Sequence, residues 1–171
     1  HSSSPEAAIA DKMWFEQHLK RTGFIFPRTP QGELILKTTD RVPRFRVRSD
    51  ADCKLPIRSV NIYYSYGRQP QLRYWADAVA VETDNGVWEG RCPTFYDDEP
   101  LFAYANVTYD IEHNFKSPNT VGTTGLLVSS TYHRAIPDEL TAAGVKPTEK
   151  PQRLIDDFSR GLHDWVGNLD K

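Results

Sequence analysis

The chain has 171 residues, 39 % of them hydrophobic and 26 % charged, with 10 glycines, 12 prolines and a formal charge of −2. This is a globular composition, neither fibrous nor disordered. No basic run reaches five residues and no apolar run approaches the ~20 residues that span a bilayer, so neither nucleic acid nor membrane is an expected partner.

The first predicted element is a helix over 4–21. Ser3 and Glu6 have capping-box spacing, and Pro5 is tolerated in a first turn, where its missing N–H would be unpaired anyway. Ile9, Met13 and the Trp14–Phe15 pair form an apolar stripe, and Gly23 is read as the stop. Nothing later in the chain offers a helical partner. The helix is therefore expected either to pack on the side of a sheet or to belong to a neighbouring domain.

The linker 27-PRTPQG-32 comes next, and the hydrophobic period then changes from helical to two. Alternation predicts strands over 33–38, 44–49, 57–66, 74–82, 87–92, 101–110 and 126–130. Between them stand breakers such as Gly67 to Pro70, Asp84-Asn85-Gly86 and Ser117-Pro-Asn119. About seven short strands with no intervening helices predict an all-β, Ig-like antiparallel β-sandwich. Asp84-Asn85-Gly86 reads as a tight hairpin with positive φ at Asn85 and Gly86. Arg44, Arg46 and Arg48 alternate along one strand and read as a solvated face. A short helix is expected over 137–143, stopped by Gly144, before a Pro/Lys-rich linker and a renewed apolar stretch, 153-RLIDDFSRGLHDWVGN-168.

The strings 60-VNIYYSYGRQPQLRYWADAVAV-81, 87-VWEGRCP-93 and 101-LFAYANVTY-109 together resemble a small Ig-like module. It is the module that comes after the catalytic domain in secreted α/β-hydrolase-type proteins of the PhoPQ-activated pathogenicity-related and acetylxylan-esterase-like groups. The flanks are similar in kind. 13-MWFEQHLK-20 looks like the last helix of a hydrolase domain, and 153-RLIDDFSRGLHDW-165 is similar to the opening of a galactose-binding-like module. The resemblance implies three parts. Residues 1–26 end a hydrolase domain or pack on the sandwich, 27–133 form the Ig-like sandwich, and 134–171 are a linker and the start of a further module. It also implies an extracellular or periplasmic location, with the catalytic hydrolase domain of the same polypeptide as partner. A start without Met or signal peptide fits a piece of something longer.

No Gly-x-Ser-x-Gly string is present, so no nucleophile elbow is expected and the chain alone is read as non-catalytic. His1 stands where the resembled hydrolases carry their catalytic His, ahead of the final helix. It is either that stranded general base or a remnant of an affinity tag. His18, His113, His133 and His163 share no ligand spacing, and no metal or other cofactor is expected. Asp97-Asp98-Glu99, Asp156-Asp157 and Asp50/Asp52 read as solvated turns. Cys53 and Cys92 allow one disulfide or two thiols, and inert half-buried thiols are the expectation. Asn106-Val-Thr108 matches a glycosylation acceptor but reads as strand polarity.

The aromatic residues leave two readings open. Trp88, Phe102 and Tyr104 are assigned to core packing. Tyr66, Tyr74 and Trp75, near the Gly67–Pro70 turn, are the candidates for an exposed patch. That patch would either dock on the parent catalytic domain or bind polysaccharide, Tyr and Trp rings being suited to stacking on sugars.

Overall fold

A computed structural model describes residues 5–20, 23–96, 98–111 and 125–148. His1, Ser3, Asp97, His113, His163, the Ser117-Pro-Asn119 turn and the stretch 153–168 lie outside the described residues. The expected all-β antiparallel sandwich forms, with nine strands among the described residues. They are β1 (Gln31–Ile35), β2 (Arg44–Arg48), β3 (Ile57–Tyr66), β4 (Ala76–Asp77), β5 (Val81–Asp84), β6 (Val87–Arg91), β7 (Leu101–Tyr109), β8 (Leu126–Ser129) and β9 (His133–Ala135). One sheet runs β1-β2-β6-β5. The other runs β4-β3-β7-β8, with β9 also paired to β7.

Period two sorts the side chains of the second sheet. On β7, Leu101, Ala103, Ala105, Val107 and Tyr109 are fully buried against the facing sheet, and they alternate with Phe102, Tyr104, Asn106 and Thr108 on the outside. From the first sheet Phe45 and Val47 meet them, both fully buried. Phe45 fits because its neighbours are small. Gly90 is its cross-strand partner, and a Cβ on Gly32 would stand 2.4 Å from the Phe45 ring.

Four expectations change at this level. The predicted strand 74–82 is two strands in different sheets. The chain leaves β4, donates the Ala78 N–H to the Ile62 carbonyl (2.8 Å) and crosses to β5. Alternation persists through the crossing, so periodicity alone cannot mark it. The predicted last strand, 126–130, continues into β9 after a break. There the Ala105 N–H is satisfied by the Ser130 hydroxyl (2.9 Å) instead of a ladder carbonyl. The 84–86 hairpin uses one left-handed residue, Gly86 (φ +72°). Asn85 is not left-handed, because a register shift between Glu82 and Asp84 supplies the adjustment. Finally, Phe102 and Tyr104 are not in the sandwich core. Their register places them on the outer face of β7. Trp88, paired with inward Val47, does pack against the core.

Helix α1 spans Pro5–Phe15 and passes into a π-type turn, Glu16–Lys20, so the regular helix is shorter than the predicted 4–21. Gly23 then takes φ +82°. Ile9 and Met13 are buried in the core cluster, and α1 contacts β8. The helix thus packs on the sheet. Helix α2 (Pro137–Ala142) opens with the Glu139 carboxylate accepting the Ile136 N–H (2.9 Å) and is followed by Gly144 at φ +72°.

Candidate functional site

The outer faces of the two sheets differ in chemistry. That of β1-β2-β6 is an ion ladder. Arg46 pairs with Glu89 (2.6 Å) and Glu33 (3.4 Å), while Arg44 and Arg91 converge on Asp40 (3.4 and 3.1 Å). These arginines are matched by carboxylates, in keeping with a solvated face. Exposed pairs of this kind contribute little stability each, roughly 0–1 kcal/mol.

The outer face of β4-β3-β7 is aromatic, and the strand register builds it. The β3–β7 pairing sets Ser65 opposite Phe102, Tyr63 opposite Tyr104, Asn61 opposite Asn106 and Ser59 opposite Thr108. Tyr63 and Tyr104 lie 5.5 Å apart with planes tilted 32°. Trp75, at the entry to β4, meets Tyr104 edge-on at 5.0 Å. The break between β8 and β9 brings Tyr132 flat onto Phe102 (5.5 Å, 21°). On Phe102 also lies the Arg73 guanidinium, 3.7 Å from the ring centroid. The 3₁₀ turn Pro70–Leu72 delivers Arg73 there, and its other bonds run to the Gly67 carbonyl (3.2 Å) and the Tyr132 hydroxyl (3.0 Å). Phe102 is thereby covered, while Tyr63, Trp75 and Tyr104 stay half-exposed and Tyr132 is exposed. Removal from water raises the pKa of the Tyr104 phenol, so it stays neutral.

Beside the rings the face turns polar and uncharged. The Ser129 hydroxyl donates to Asn106 Oδ1 (2.7 Å), which fixes that amide with its nitrogen as the remaining donor.

The three residues singled out for an exposed patch are not brought together. Trp75 belongs to the array. Tyr74 is 82 % exposed and takes no part in it. Tyr66 pairs with inward Leu101 and meets Phe95 edge-on and Tyr96 at a tilt, each at 5.7 Å. Sequence reasoning misses Arg73 and Tyr132. Arg73 carries no pattern signal, and Tyr132 lies in a strand break that alternation does not mark.

A second exposed surface lies on α1. Trp14 (50 % exposed), Phe15 (49 %) and Leu19 (66 %) present apolar surface to solvent, and Ile25 after the π turn is 78 % exposed. The Trp14 ring contacts Phe15 (5.5 Å) and His18 (4.7 Å).

Two clefts open at the sheet margins. One, of about 570 Å³, is lined by Arg48, Asp50, Cys53, Arg58, Asn85 and Trp88, among others. The other, of about 550 Å³, lies between Tyr64, Ala78, Val79, Val81 and Gly90. Burial pushes the Cys53 thiol up and the Cys92 thiol up to about 12, so both are held as weakly reactive thiols. They are not bridged. Among the described residues no three His, Cys, Asp or Glu side chains converge as a metal set, and no helix is long and apolar enough to cross a membrane.

No family model matches the chain, and no curated protein or solved structure matches it.

Proposed function

We propose that this chain is a non-catalytic accessory module of a larger secreted, extracellular or periplasmic hydrolase of esterase or peptidase type. The module packs on the catalytic domain and spaces it from a further C-terminal module. The observation that carries this reading is the two-sided helix α1. Ile9 and Met13 tie one side to the sandwich, while Trp14, Phe15 and Leu19 present apolar surface on the other. Apolar area left in water forgoes roughly 25 cal/mol per Å², and contiguous patches of it mark interaction surfaces. The segment concerned, 13-MWFEQHLK-20, is the one that looks like the closing helix of a hydrolase domain, which supplies the occupant. The ion ladder on the opposite sheet is unsuited to an interface centre, where charged residues are depleted.

Titration of the catalytic domain of the same polypeptide with this chain, monitored by calorimetry, tests the reading. The Trp14→Ser/Leu19→Ser pair is expected to weaken association about tenfold or more, equivalent to ~1.4 kcal/mol. The stability of the isolated chain should change by less than about 0.5 kcal/mol per substitution. Undiminished association, or turnover of p-nitrophenyl acetate by the isolated chain, would overturn it.

A further inference from the structure

We infer that the outer face of the β4-β3-β7 sheet binds a neutral polysaccharide, through a surface separate from the docking side of α1. A pyranose ring has an apolar C–H face and a polar rim, and a complementary surface offers aromatic faces first and neutral hydrogen-bonding groups beside them. The β3–β7 register places that sequence along one line. The Tyr63/Tyr104 pair is succeeded one step on, about 7 Å away, by the Asn61/Asn106 pair. The rings are held in advance of any ligand. Trp75 braces Tyr104 edge-on, and Tyr104 lies beside Tyr63, so little side-chain freedom is lost on binding. The Asn106 amide is likewise oriented by its bond from Ser129.

Charge selects among ligands that stack. Single-stranded nucleic acid also uses aromatic platforms, but in a positively charged groove that tracks its backbone. Here Arg73 is engaged with Phe102, Tyr132 and the Gly67 carbonyl. Asp77, opposite Tyr63, and Arg134, opposite Phe102, balance each other on the two sides of the array. The three charged groups named sum to +1, and the cation nearest the rings, Arg73, is held flat on Phe102 by neutral partners, so no row of cations tracks the array as a polyanion's backbone would require. The centre of the face is built of Tyr, Trp and Asn, whose flat rings and neutral amides match the C–H face and hydroxyl rim of a pyranose.

The test is affinity electrophoresis of the whole chain in gels containing arabinoxylan, galactomannan or hydroxyethylcellulose. Retardation is expected in at least one. Tyr63→Ala and Trp75→Ala should each weaken it about tenfold, the equivalent of one ring contact. Tyr63→Phe should retain it, and Trp14→Ser, on the docking helix, should leave it unchanged. Far-UV circular dichroism confirms that each variant is folded. Tryptophan fluorescence should shift on adding the retarding polysaccharide, and Trp75→Phe should abolish the shift. Absence of retardation in all three gels overturns the inference. So does retardation indifferent to both alanine variants, or binding of an oligothymidylate in place of the glycans.

Discussion

At position 90 a side chain has no room. A Cβ there would stand 2.5 Å from the Ala78 carbonyl oxygen, backbone that cannot swing aside, at the point where the chain crosses from β4 to β5. Gly90→Ala is expected to destabilise the chain by roughly 1–3 kcal/mol in urea unfolding, the range for forcing atoms into filled space. Nothing in a single sequence announces this glycine, because the contact joins segments whose adjacency depends on the crossover. Cys92 is the contrasting case. Its spacing and surroundings already suggest an inert thiol, and burial with a pKa near 12 gives the reason. A thiol reagent added to the native protein should leave Cys92 unmodified, with Cys53 reacting slowly; both of the chain's cysteines should react in denaturant. The rings fall between these cases. Period two separates Tyr63 from Tyr64 in the sequence, but it cannot say which face is the core, and sequence reasoning puts Phe102 and Tyr104 on the wrong one.

Among the elements, α1 gives the clearest division of labour. Met13→Ala removes a fully buried side chain and is expected to cost about 2–5 kcal/mol. Trp14→Ser, one residue on, should cost less than about 0.5 kcal/mol in the isolated chain. Thermal or denaturant unfolding of the two variants side by side checks the contrast. Equal losses would mean that both sides of the helix are packed. The helix is legible from its periodicity, but its seat against β8 is not, since a stripe shows that burial is needed without naming the partner. The strands show the same limit. β2, β3, β6, β7 and β8 match the alternating runs closely. The missed features, the β4/β5 split and β9, are set by non-local hydrogen bonds from Ala78 and at Ser130.

For the whole molecule, two sheet faces of opposite character enclose one core, and protons act on the margins of this arrangement. Asp40 has its carboxyl held below the ordinary 3.8, chiefly by a hydrogen bond with Thr38. Asp50 is likewise low, chiefly because it accepts the Arg28 backbone N–H. A carboxyl depressed on folding contributes stability that is present above its unfolded value and lost as pH falls through the folded one. Cys92 and Tyr109 are raised by burial to about 12, from 9.0 and 10.0. Their contribution is complete below those ordinary values and lost as pH climbs from about 9 to 12. The melting temperature should therefore be level between these limits, falling below pH 3.8 and above about pH 9. Differential scanning calorimetry across pH measures both arms; a transition centred near neutrality would contradict the assignment. The fold class is visible in the alternation from 33 to 130, whereas the asymmetry between the faces depends on register. Amide hydrogen exchange of this chain, alone and within the intact polypeptide, bears most directly on its role as an accessory module. Exchange in α1 and the adjoining turn should slow when the catalytic domain is present, while the amides of β1, β2 and β6 keep their rates. Unchanged exchange in α1 would contradict that role.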